Sequence, residues 1–124
     1  MQIFWIGAGG FLGAVSRFLA TGTVQRLLGR SAFPWGTFAV NISGCLLIGF
    51  LGGIGEGKNL FSDHARSFLF IGFLGGFTTF STLGYETFGL FRDGQSLAAL
   101  ANMGLQLTLG LGAVACGLFA ARWV

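Results

Sequence analysis

From Trp35 to Ile54 the chain runs 20 residues without a charge. That is the length of helix needed to cross the hydrocarbon of a bilayer. Ile3–Ala20, an 18-residue run whose one charge is Arg17, follows the same rule, as do Phe68–Phe91 and Leu97–Trp123. A backbone in lipid has to satisfy its own polar groups, which leaves helices as the economical solution for runs of this length. The reading is one all-α membrane domain over residues 1–124, with four transmembrane helices at about 3–20, 35–54, 68–91 and 97–123. Composition agrees. Charged residues make up 9% and hydrophobic ones 53%, whereas soluble domains carry about a quarter charged residues. A soluble chain this short could not hide so much apolar surface. The formal charge of +3 is too small and too dispersed to suggest a nucleic-acid partner. The first apolar stretch lacks a basic lead-in and a convincing cleavage site, and reads as a first membrane helix.

The third stretch contains the least lipid-compatible residues. Gly75-Gly76-Phe77-Thr78-Thr79-Phe80-Ser81-Thr82 places two glycines and four hydroxyls inside an apolar segment. Irregular polar backbone is tolerated at that depth only where protein or water surrounds it, so this run is a candidate ion site or pathway. Pairs of glycines four apart, Gly9/Gly13 and Gly72/Gly76, form the small-xxx-small pattern that lets membrane helices approach closely.

Other polar residues leave two readings each. Arg17 either snorkels from a helix end to the headgroups or lines an aqueous vestibule. Asn41, with Thr37 one turn before it, either makes an interhelical hydrogen bond or aims a donor into a pore, since a buried amide is costly unless bonded. Asn102, Gln106 and Gly110 recur every four residues along one helical face and form either packing glue or a polar track. Glu86 lies near the far end of its segment and is expected to reach water. Glu56–Arg66 reads as a polar loop that holds a solvated His64. Cys45 and Cys116 have no metal-ligand spacing and read as buried free thiols. Pro34 and Trp35 open the second helix, where Trp35 suits the membrane interface, as Arg122 and Trp123 do at the end of the fourth.

Four spans put both termini on one side. Lys58, Arg66 and Arg122 then lie on that side, and Arg26, Arg30 and Arg92 on the other. Orientation normally follows an excess of Lys and Arg in cytoplasmic loops, and a near-tie predicts insertion both ways. Four short helices are also too few to enclose a pore comfortably. Together these features point to an antiparallel, dual-topology homodimer.

No catalytic arrangement is present: there is no Ser/His/Asp set, no zinc spacing and no phosphate loop, so an enzyme is not expected. A proton-coupled exporter of the small multidrug type would need a carboxylate in its first helix, and this one has no Asp or Glu. A non-conducting packing subunit of a larger complex is a further alternative. The remaining reading is a narrow ion path, in which neutral donors replace part of an ion's hydration shell without trapping it. Phenylalanine edges, which carry partial positive charge, would let an anion approach.

These residues resemble the small dual-topology fluoride channels of bacteria and archaea, the Fluc or CrcB family. The resemblance covers nearly the whole chain. It rests on Gly10-x-x-Gly13-Ala14-x-x-Arg17, on Gly36-Thr37-x-x-Val40-Asn41-x-x-Gly44, and above all on Gly72-Phe73-Leu74-Gly75-Gly76-Phe77-Thr78-Thr79-Phe80-Ser81-Thr82 followed by Glu86. It implies a third helix broken in mid-membrane and an antiparallel homodimer with two pores in an inner (plasma) membrane. Fluoride would pass Asn41, the edge of Phe80, the hydroxyls of Ser81 and Thr82, and track positions Asn102 and Gln106. Arg17 would stand in the vestibule. The backbone carbonyls of Gly75 and Thr78 would hold one structural sodium ion on the dimer axis. The chain departs from the family pattern at Leu83, a pore position where a second phenylalanine is common, and at Gly110, where a serine is common. Gln106 is then expected to supply a donor in place of the missing groups.

Overall fold

Each apolar stretch is helical in the structure, a computed structural model that describes residues 1–29, 31–58 and 60–124, with the backbone alone at 56–58. Helix α1 spans Gln2–Leu27 and α2 spans Trp35–Lys58. The third span is composite: α3 (Asp63–Arg66), a wider π-helical segment (Ser67–Leu74), the single turn α4 (Gly75–Phe77), a break at Thr78 and Thr79, and α5 (Phe80–Arg92). Helix α6 spans Ser96–Ala121. Four spans are long and apolar enough to cross a membrane, and no strand occurs among the described residues. The chain is a multi-pass integral membrane protein.

Helix ends depart from the sequence reading in informative places. Helix α1 continues to Leu27, so Arg17 sits ten residues before its end, about 15 Å along the axis. It is not a terminal, snorkelling arginine. The expected loop 56–66 is shorter than read: α2 runs to Lys58, and Ser62 starts α3 by accepting the Ala65 N–H at 3.3 Å, an ordinary N-cap. His64 is exposed there, with its ring beside Trp5. Pro34 precedes α2, and its carbonyl accepts the Phe38 N–H. Arg30, and the side chains of Glu56 and Lys58, lie outside the described residues. Cys45 is half-buried, but Cys116 is exposed on the outer face of α6 rather than buried.

Two seams hold the spans together. The first joins α1 to the π-helical segment and α4. Its glycines interlock: a methyl on Gly9 or Gly13 would overlap the carbonyls of Phe68 or Phe73. One on Gly72 or Gly76 would stand 2.7 Å from the carbonyl of Ile6 or Gly10. Backbone therefore packs on backbone across this seam, as the four-residue glycine spacing predicts. The second seam joins α2 to α6, where Gly49 and Gly117 allow the same approach. α5 leans on α6 through Leu83, Thr87 and Leu90, all buried.

Gly13→Ala is expected to force the first seam apart, at the cost of about 1–3 kcal/mol typical of overpacking. Gly7→Ala, where nothing lies within 4 Å, should be neutral. Thermal unfolding in detergent checks both; equal melting temperatures for the two variants would contradict the seam.

Candidate functional site: the break in the third span

The site is built from the places where helical hydrogen bonding stops. In a continuous helix the Thr79 N–H would donate to the Gly75 carbonyl and the Thr82 N–H to the Thr78 carbonyl. Neither bond is made. The Thr79 N–H donates instead to Asn41 Oδ1 at 2.9 Å. The Thr82 N–H donates to Thr79 Oγ1 at 3.2 Å, which makes Thr79 the N-cap of α5. The backbone at Thr78 and Thr79 is extended, with ψ of 158° and 124°. Upstream, α4 is closed by Thr78, whose N–H and hydroxyl both donate to the Leu74 carbonyl at 2.9 Å.

Asn41 answers the break from α2. Its Nδ2 donates to the Thr79 carbonyl at 3.0 Å while its Oδ1 accepts from the same residue's N–H. One side chain thus replaces the ladder partner that the Thr79 N–H has lost and adds a second donor to a carbonyl that, at the N-cap, already accepts the first bond of α5. The amide also donates to Gln106 Oε1 at 2.7 Å, and a relay continues inward. Gln106 Nε2 donates to Asn102 Oδ1 at 2.8 Å, and Asn102 Nδ2 donates to Thr87 Oγ1 at 2.9 Å. Asn102 is wholly buried, and Thr87 and Gln106 nearly so. The relay ties α2, α5 and α6 together.

Arg17 reaches the same place from α1: its guanidinium donates to the Thr78 carbonyl at 3.3 Å. Beside it opens a cavity of about 380 Å³ whose polar lining is Arg17, Thr21, Thr37, Thr79, Thr82 and Glu86. Glu86 does not extend to water as its position near the helix end suggested. It is half-buried, and the Thr37 hydroxyl donates to its Oε1 at 2.8 Å. Its Oε2 is buried with no hydrogen-bond partner among the described residues. On the other side of the break a second cavity, about 330 Å³, is lined by Asn41, Gly75, Thr78, Phe80, Leu83 and Gln106 together with apolar neighbours.

The sequence-predicted residues divide by location. Arg17, Asn41, Gly75, Thr78, Thr82 and Gln106 converge on the break. Phe80 and Ser81 start α5 on the open surface of the protomer, Phe80 being 79% exposed. Leu83 turns inward and is buried, so this position forms cavity wall within the protomer. Asn102 stands behind Gln106 rather than on an open track. Gln106 presents its oxygen, not its amide donors, to Asn41. Thr79 and Thr87 were not singled out from sequence. Thr79 lay within the hydroxyl run, and Thr87 shares the buried face of α5 with Leu83, four residues earlier.

This architecture defines a class: a four-span membrane protein whose third span is interrupted and lined by neutral donors. The family described as CrcB-like protein, camphor resistance (CrcB), matches residues 4–118, and the chain belongs to it. It is 43% identical over 123 residues to the fluoride-specific ion channel FluC of Solidesulfovibrio magneticus, covering 99% of this chain and 98% of that one. The FluC of Geobacter sulfurreducens is 47% identical over 120 residues, covering 97% and 96%. That of Geotalea uraniireducens is 50% identical over 101 residues, covering 82% and 81%.

Asn41→Leu should leave the Thr79 N–H and Gln106 Oε1 without partners. Each orphaned group costs about 1–3 kcal/mol, so unfolding in detergent should occur at a clearly lower temperature. A variant as stable as the parent would show that Asn41 does not hold the break.

Proposed function

We propose that the protein is a fluoride-selective channel that lets cytoplasmic fluoride leave the cell passively across the inner membrane. The observation that carries this reading is the convergence of Asn41, the Thr78–Thr82 hydroxyls and Arg17 on one interrupted span, within a chain similar over nearly its full length to fluoride-specific channels. Neutral amide and hydroxyl donors can substitute for water around a small, strongly hydrated anion while still releasing it. Arg17 raises the local anion concentration at the mouth without standing as a fixed partner in the narrow part. With the cell interior negative, outward movement of one anionic charge gains about 2.3 kcal/mol per 100 mV, so no coupled carrier is needed. In acid surroundings neutral HF enters and ionises, and a passive anion path relieves the trapped fluoride. Proton-coupled export finds no support at α1, where an acid would be required.

The working unit is an antiparallel homodimer. Phe80 and Ser81 lie on the exposed side of α5, where a second copy can complete two pores. A sodium ion suits the same surface. The Gly75 and Thr78 carbonyls have both lost their helical donors to other groups, and carbonyl oxygens are hard ligands for such a cation. When bound, the ion would supply positive charge where two interrupted spans meet. Among the described residues Thr78's carbonyl is held by the long Arg17 bond, so Arg17 would yield it and turn toward the vestibule.

Liposomes containing this protein alone, loaded with fluoride, should discharge it on addition of a potassium ionophore and should retain chloride. Absence of fluoride efflux refutes the assignment, and equal efflux of both anions refutes the selectivity. Exchange of sodium for a bulky organic cation during purification should shift dimers towards monomers on size exclusion. An unchanged profile removes the sodium proposal.

A further inference from the structure

The relay that begins at Thr79 has only one possible sense, and that sense restricts what Asn41 can offer an anion. A backbone N–H can only donate, so the Asn41 atom facing it must be the oxygen. The nitrogen then faces both the Thr79 carbonyl and Gln106. Gln106 must answer with its own oxygen, which turns its nitrogen to Asn102 Oδ1, and Asn102 in turn presents its nitrogen to Thr87. An amide nitrogen has two hydrogens. Asn41 spends one on the Thr79 carbonyl at 3.0 Å and the other on Gln106 Oε1 at 2.7 Å. No donor of Asn41 is left for a permeating ion.

We infer that Gln106 is a specificity-determining positioning residue: its carbonyl oxygen is a built-in acceptor that an anion must displace to reach Asn41. This rests on the anion-channel reading above. The bond to the Thr79 carbonyl is half of the two-point grip by which Asn41 holds Thr79, whereas Gln106 is a side chain at the wall of the 330 Å³ cavity it shares with Asn41. An anion entering from that cavity takes the Asn41 hydrogen from Gln106 Oε1, and Gln106 stays tethered through Nε2 to Asn102. A weak acceptor competes poorly for that hydrogen. A small anion of high charge density competes well. Exchange therefore favours fluoride over larger halides before any sieving by size.

The test is fluoride current or efflux across a concentration series for the parent and for Gln106→Leu and Gln106→Ser, each of which removes the competing oxygen. The expected result is a fall of roughly fivefold in the half-saturating fluoride concentration, the worth of about one net hydrogen bond, together with a weaker preference for fluoride over chloride. A rise in half-saturating concentration would show that Gln106 donates to the ion. No change would leave it a packing residue. Either result overturns the inference while parental fluoride efflux still supports the channel. Should both variants fail to assemble, side-chain amide NMR of the labelled parent decides. The Asn41 and Gln106 signals should move together over one fluoride titration, and a Gln106 signal that stays fixed overturns the proposal.

Discussion

The rest of the site depends on one side chain gripping the backbone at both polar groups of Thr79. An interruption in a membrane helix strands polar groups where no water can reach them, at a cost of several kcal/mol for each group left bare. Asn41 accepts from the Thr79 N–H and donates to its carbonyl, which makes the interruption stable within a single protomer. Thr79 then caps the helix that follows, and the Thr78 hydroxyl closes the turn before it. The break is thus a structured element with assigned partners, and its position is fixed by Asn41 on a neighbouring span.

The seam of glycines explains why the break can be served from several helices. Gly9 and Gly13 bring the α1 backbone against the π-helical segment, and Gly72 and Gly76 return the approach. α1 therefore lies close enough for Arg17, well inside the helix, to reach the Thr78 carbonyl. On the other flank, Gly49 and Gly117 draw α6 against α2, which sets Gln106 within reach of Asn41. Close packing without side chains in one place becomes side-chain geometry in another.

The four spans, the close glycine seam and the importance of the Gly75–Thr82 run were legible in the sequence, because length, charge and four-residue spacing are local properties. Hydrogen-bond partners were not. Spacing placed Asn102 and Gln106 on one face, but whether that face looked into a channel or into the protomer depended on where Thr87 and Asn41 lay. The extension of α1 beyond Ala20 was hidden because Thr21, Gly22, Thr23 and Gln25 dilute its hydropathy without interrupting its helix. Glu86 was misjudged for a related reason. Distance along a span says nothing about a hydroxyl, here Thr37, waiting on the adjacent helix. Leu83 departs from the family motif in its side chain, and its place in the protomer is a buried one, in the wall of the cavity that Asn41 and Gln106 also line.

What the protomer leaves undone is as informative as what it satisfies. The Gly75 carbonyl has lost its helical donor, Gly75 itself is exposed, and the Phe80 ring at the start of α5 stands clear of the protomer. These features lie within six residues of one another along the interrupted span. An apolar exposed ring is unremarkable in lipid, but a carbonyl without its donor is not. The proposed second copy and axial cation would meet both conditions at the same surface, since carbonyls need a positive partner and ring edges need an ordered neighbour to define a passage. In that arrangement the interruption serves assembly and conduction together: the groups released by breaking the helix bind the ion at the axis, and the groups recruited to stabilise the break form the wall of the path.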